Sequence, residues 1–189
     1  MLLSLTPQRS TIYYHDSESW IKFLVSRNSP LSLDGTYLPR NLVAHLNSNS
    51  PFLEINRFHE YNGHGGFCEH SRIGNRIVAY EKELESIEEQ ILRENEHTGR
   101  SQLTAVSVYY KQYLMLRREC DDFLRTHHNY YEGFAYWLEK HYSLVFGFGA
   151  LYEQRKTHLD PFYLELVDSI ERFVAENSVD TFLGMMSFE

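Results

Sequence analysis

Cysteine is nearly absent from this chain. Cys68 and Cys120 are its two cysteines, they lie far apart, and they form no C-x-x-C pair, so neither a disulfide framework nor a zinc knuckle is indicated. Basic residues are also scarce: 18 Lys and Arg stand against 26 Asp and Glu, the formal net charge is -8, and no basic tract interrupts the chain. That balance argues against a surface for nucleic acid or anionic lipid, since both select for clustered Lys and Arg. No apolar run approaches the ~20 residues that a membrane span requires. The start, Met1-Leu2-Leu3-Ser4-Leu5-Thr6-Pro7, lacks the basic region and the long apolar stretch of a secretory signal. The expectation is a soluble, cytoplasmic protein with no nucleic-acid or membrane partner.

What is present suffices for a core. With 189 residues, 42% hydrophobic and 15% aromatic, the sequence predicts one globular domain over 1–189, mainly α-helical with little or no β-sheet. Residues 1–15 read as an irregular or short extended segment, because the β-formers Ile12, Tyr13 and Tyr14 have no evident hairpin partner. Asp16 or Ser17 caps a helix carrying Trp20, Phe23 and Leu24, which stops at Asn28-Ser29-Pro30. A second short helix is expected over Leu38 to Leu46. Ser50-Pro51 then starts a third, with Phe52, Ile55 and Phe58 on one face.

At the end of that third helix, the stretch from Arg57 to His70 packs His59, His64 and His70 with Glu60 and Glu69 among glycines. Zinc hydrolases place two imidazoles one helical turn apart, with a glutamate after the first to act as general base. His59-Glu60-x-x-x-His64 is one residue longer. Positions i and i+5 sit about 140° apart on a regular helix, so these histidines can share a metal only if the helix widens locally, as in a π-bulge. Gly63, Gly65 and Gly66 allow that widening. The spacing, with Gly before the second His and again after it, resembles dipeptidyl peptidase III over His59 to Gly65. The run Glu132-Gly133-Phe134-Ala135 resembles the third-ligand helix of monozinc aminopeptidases and related gluzincins. That resemblance implies Glu132 as third zinc ligand, with Gly and Ala thinning the helix where it crosses the zinc-binding helix.

The segment between the two motifs supports their convergence. Ile73, Ile77, Tyr80, Leu84, Ile87 and Ile91 follow a 4-3-4-3-4 spacing with glutamates between, an amphipathic helix of coiled-coil character. Thr98-Gly99-Arg100-Ser101 supplies a stop and a cap, and Leu103, Val106, Tyr110, Tyr113, Arg117, Cys120 and Leu124 form a second seam. The two make a long antiparallel hairpin over about 72–126. Each arm of about 25 residues spans roughly 37 Å at 1.5 Å per residue, so the chain returns to where it left and Glu132 arrives beside His59 and His64.

Other candidates rank lower. Glu119 should sit about two turns up the hairpin. His70 follows His64 by six residues, but Phe67 stands where the metzincin spacing needs a glycine, which makes His70 a surface or supporting residue. His127 and His128 read as a polar helix cap. After Glu139, Gly147-Phe148-Gly149 breaks the chain's helical course, and Asp160-Pro161 caps a last helix with Phe162, Leu164, Leu166, Val167, Ile170 and Phe173 in a stripe. Tyr163 and His158 are candidate oxyanion donors downstream of the third ligand.

The reading is a zincin-like metallopeptidase of gluzincin type, with Zn²⁺ on His59, His64 and Glu132, Glu60 as general base and a peptide as substrate. The chain is small for a peptidase cleft, so a homodimer or a partner protein is expected to complete it. The alternative is a non-catalytic helical interaction protein whose His/Glu cluster is a structural metal site or none; four protein ligands would favour it, three with an open position the enzyme.

Overall fold

The computed structural model describes residues 5–97 and 103–185. The elements are β1 (Thr11–His15), α1 (Ser17–Ser26), β2 (Gly35–Leu38), β3 (Val43–Asn47), α2 (Leu53–Arg57), a π-helical segment (Phe58–Gly65), α3 (Gly66–His70), α4 (Arg72–His97), α5 (Leu103–Val145), α6 (Gly149–Lys156), α7 (Pro161–Glu176) and α8 (Val179–Met185). The chain is therefore mainly α, as expected, but it also carries a three-stranded sheet in the order β1-β3-β2. No helix among the described residues is long and apolar enough to cross a membrane.

The sheet corrects two expectations. The extended segment does have partners: β1 runs parallel to β3, with Thr11 opposite Val43 and His15 opposite Asn47. The helix expected over Leu38 to Leu46 is instead the end of β2, a turn and β3, with Leu38 opposite Val43 and Gly35 opposite Leu46. Leu42 and Leu46 fit a helical spacing of four, but they also fit a strand spacing of two through Ala44, and Leu42, Ala44 and Leu46 are the buried residues. Leu42 takes φ 54° to close the turn. Asp16 caps α1 as expected, its carboxylate accepting from the Ser19 amide at 2.8 Å, and Trp20 and Leu24 are buried.

The central helical axis bends through three conformations. Ser50 Oγ accepts from the Phe52 amide at 3.1 Å and so caps the entry. The chain then passes from α2 through eight π residues into α3. Ser71 adopts an extended conformation, and its Oγ accepts from the Gly74 amide at 2.9 Å, which starts α4. A Cβ on Gly74 would lie 2.2 Å from the Phe67 carbonyl oxygen, so glycine lets α4 cross α3 at backbone distance.

α4 and α5 pack along one another. Tyr80 meets Phe123 with ring centroids 5.6 Å apart, Glu81 pairs with Arg117 at 3.4 Å, and Leu84 and Cys120 are fully buried between them. Arg40, from the β2–β3 turn, reaches Glu88 at 2.6 Å and Glu81 at 3.5 Å, tying the sheet to α4. The turn expected at Thr98-Gly99-Arg100-Ser101 lies outside the described residues. α5 does not pause near residue 126: it continues to Val145, so His127 and His128 lie inside a helix rather than at a cap, and His127 Nδ1 sits 2.8 Å from the Phe123 carbonyl. Asp160 caps α7 by accepting from the Phe162 amide at 2.9 Å, with Pro161 in the first turn. The main core joins Ile55, Phe58, Phe67, Ile77, Phe134, Leu138, Val167 and Ile170.

Candidate metal centre

The π-helical segment carries both motif histidines. In an α-helix their side chains would diverge; with the widened turn, the His59 and His64 rings lie 4.7 Å apart, perpendicular to each other. α5 crosses this segment at close range. A Cβ on Gly63 would lie 2.6 Å from Ala135 Cα and 2.8 Å from its Cβ, so a bare glycine facing an alanine permits the contact. On the far side of α5, a Cβ on Gly133 would meet Ile170 of α7 at 2.9 Å.

This crossing brings Glu132 over the histidines. Its Oε2 lies 3.7 Å from His59 Nε2 and its Oε1 lies 3.7 Å from His64 Nε2. One donor atom from each of the three residues falls within 4.8 Å of the others, so the group could hold a metal ion. A separation of 3.7 Å is too long for a hydrogen bond. It is close to the ~3.4 Å that separates two donors on a tetrahedral ion with bonds of ~2.0–2.1 Å. The donor set and its spacing therefore fit an ion better than they fit direct pairing. No other His, Cys, Asp or Glu joins the group among the described residues. Glu119 is exposed on α5, thirteen residues before Glu132 and thus about 20 Å away along the helix. His70 ends α3 outside the group, and His128, exposed one turn before Glu132, acts on Glu132 and His64 only through its charge.

The surroundings orient both rings. His59 Nδ1 lies 3.0 Å from Oε2 of Glu139, a fully buried carboxylate, which leaves Nε2 directed at Glu132. Tyr136 lies against His59 at 4.3 Å and Tyr131 stacks on His64 at 4.1 Å. Burial disfavours charge on His59, but Glu132 and Glu139 outweigh this and its pKa is raised to about 10. Burial lowers His64 to about 3, so the second imidazole is neutral with a free lone pair. Glu132 is held at about 2: burial opposes its charge, but His64 and His59 overcome that. The cluster thus offers one carboxylate, one neutral imidazole and one imidazole whose proton an ion would replace.

Glu60 stands apart from this donor set. Burial raises its pKa to about 7, into the range where a carboxylate accepts protons efficiently near neutrality. It borders the sheet: a Cβ on Gly35 would lie 2.9 Å from Glu60 Cγ. Of the two downstream candidates, Tyr163 lies against Tyr136 at 4.7 Å, one ring removed from His59. His158 instead contacts Phe52, Gln154 and Thr157, and none of these contacts reaches the histidine pair.

Sequence reasoning missed Glu139, Tyr136 and Gly35 as parts of the site. Glu139 carried a usable signal, since it follows Glu132 by seven residues and so shares its helix face. Gly35 carried none until β2 was recognised. No family model matches the chain, and no curated protein or solved structure matches it either.

Proposed function

We propose that the protein is a zinc-dependent metallopeptidase that cleaves peptide bonds with water. The observation that carries this reading is the convergence of His59 Nε2, His64 Nε2 and Glu132 with no fourth protein donor among the described residues, next to a separate glutamate that follows the first histidine directly. Two imidazoles and a carboxylate suit zinc, and three protein ligands leave a position open.

His59, His64 and Glu132 would hold the ion, delivered by the π-helical segment and by the return of α5 along α4. A zinc ion held there would supply Lewis acidity and so would make water a nucleophile near neutral pH. Glu60 accepts the proton of the attacking water and passes it to the leaving amine. Glu139 fixes the His59 ring through Nδ1, and Tyr131 and Tyr136 limit water around the imidazoles. β2 is an edge strand whose described partner is β3, and Gly35 on it touches Glu60. An extended peptide added along that edge would run beside the general base. Tyr163 is the nearer of the two candidate oxyanion donors.

The test is to measure metal content and peptide hydrolysis on the purified protein and on Glu60→Gln. The expected result is one zinc per chain in both and hydrolysis reduced at least about 100-fold in the variant, the usual range for a lost general base. Equal turnover by both proteins would exclude the mechanism.

A second reading is an interaction protein with a structural metal. The exposed Val108, Leu114 and Met115 on α5 favour it, because they leave apolar surface along the helix that would form the hairpin's outer face. Zinc in full stoichiometry with no hydrolysis of any peptide in a mixed library would select that reading.

A further inference from the structure

We propose that His15 and His45 form a latch that seats α1 on the sheet, closed while both rings are neutral and opened by acid. The proposal is independent of the peptidase reading, because the pair lies on the sheet face turned away from the π-helical segment.

The sheet is covered on both faces. Gly35 and Tyr37 of β2 stand with Leu46 and Ala44 of β3 on the face that meets the π-helical segment: a Cβ on Gly35 would touch Glu60, and one on Gly65 would touch Tyr37. Alternation along the strands puts Tyr13, His15 and His45 on the other face, against α1. There Trp20 and Phe23 of α1 pack on His15 with ring centroids 5.4 Å and 4.9 Å away, and Phe23 stacks on His45 at 4.4 Å. His15 Nε2 lies 2.9 Å from His45 Nδ1, a hydrogen bond between the rings. His15 Nδ1 is buried and has no hydrogen-bond partner among the described residues.

Counting protons shows why charge opens this pair. Two neutral rings carry two protons on four nitrogens. One proton sits between the rings, and placing the other on His45 Nε2 spares His15 Nδ1 an N–H without an acceptor. A third proton cannot be placed so well. Whichever ring takes the charge, one proton stays between the rings and both outer nitrogens carry an N–H, so His15 Nδ1 becomes a buried, unmet donor. The neighbours do not remedy this. Asp16 favours charge on His15, but it is exposed and its carboxylate caps the Ser19 amide. Arg27, which lies over the Phe23 ring, opposes charge on His45, and Glu18 and Lys22 on α1 pair with each other at 2.6 Å. Burial accordingly holds both imidazoles below their ordinary 6.5, and with His15 and Arg27 adding to it His45 falls to about 4. With α1 lifted, both rings reach water and titrate near 6.5. The open form therefore binds more protons between about pH 6.5 and about pH 4, and falling pH favours it. Opening would uncover Trp20 and Leu24, both buried in the docked form.

Amide exchange of the full chain, followed segment by segment by mass spectrometry and divided by the intrinsic rate at each pH, reads the opening. Each imidazole that gains a proton on opening multiplies the opening constant about tenfold between about pH 7.5 and about pH 5.5. Exchange along α1 should thus rise at least about tenfold, and about 100-fold when both rings charge. Exchange along α7, which contains no histidine, is the internal reference and should stay within about threefold. Measuring with zinc and again with a chelator keeps ion loss out of the comparison. His15→Phe fills the same sandwich with a ring, and His45→Gln keeps an acceptor for His15 Nε2; each removes one titrating group and should cut the response about tenfold. Melting temperatures at about pH 7.5, where the latch is closed, check that each variant is folded. A rise along α1 of less than about tenfold in the natural protein, an equal rise along α7, or a full response in a folded variant would overturn the proposal.

Discussion

A buried carboxylate is costly unless a neighbour shares its charge, and Glu139 has 0% exposure with His59 Nδ1 at 3.0 Å. That placement sets which ring nitrogen is left to coordinate. Glu139→Gln should therefore weaken zinc binding about 10–100-fold without changing the stoichiometry at saturation, the range found for groups that orient a ligand. Competition against a chelator of known affinity measures this, and an unchanged affinity would remove Glu139 from the site. At this scale the sequence was informative where chemistry is local. His59, Glu60 and His64 are read from one short motif, and Glu132 from a second. Glu139 acts through space, and its one sequence signal is the seven-residue separation from Glu132 that puts both on one helix face. His158 shows the converse, a plausible residue type whose contacts go to Phe52 and its own helix turn instead.

Among the elements, helical periodicity was legible wherever a segment was long. α4, α5 up to about residue 126 and α7 follow from their apolar stripes, and the one-residue excess between the histidines implied the widened helix that the Phe58–Gly65 segment adopts, whereas the unbroken run of α5 to Val145 was not read. β2 and β3 were not legible, because over nine residues Leu38, Leu42 and Leu46 satisfy helix and strand alike. The contact between the π-helical segment and α5 gives a test of how elements position the site. Gly63→Ala places a methyl 2.6 Å from Ala135 Cα, where backbone rather than a flexible side chain must yield. The expected outcome is a loss of about 1–3 kcal/mol from overpacking, with a parallel loss of zinc affinity as Glu132 is pushed from the imidazoles. Gly184→Ala in α8 is the control, since its methyl meets open space and should stabilise by about 0.5–1 kcal/mol with zinc affinity unchanged. Urea denaturation and zinc titration of both variants read the two effects separately.

Across the whole molecule, the N-terminal segment is fastened to the helical axis that carries the histidines by Glu69 and by Tyr61, whose hydroxyl donates to the Pro7 carbonyl at 3.2 Å. Glu69 on α3 accepts from the backbone amides of Gln8, Arg9 and Ser10 at 2.7–3.1 Å and from Ser10 Oγ at 2.7 Å. Burial opposes its charge, but the Ser10 hydroxyl and these amides outweigh that and hold its pKa below the usual 4.5. A depressed folded-state pKa contributes stability that is present above the unfolded value and is lost as pH falls through the lower folded one. Stability should thus decline below about pH 4.5, and Glu69→Gln should remove part of that slope. Denaturant midpoints measured from about pH 6 to about pH 3 decide it; parallel curves for both proteins would show that the link carries no charge dependence. A different kind of fastening follows from the positions of the donors along the chain. His64 and Glu132 are 68 positions apart, so one ion bound to both would act as a removable cross-link that closes α4 and two-thirds of α5 into a loop. By the chain-entropy argument for cross-links, closing a loop of that size in the unfolded chain is worth about 4 kcal/mol. Stripping the ion with a chelator should therefore lower the melting temperature and increase amide exchange along α4 and the first turns of α5, far from the donors themselves, and returning zinc should reverse both. The long helical pair would then behave as a loop whose ends are tied or untied by metal supply.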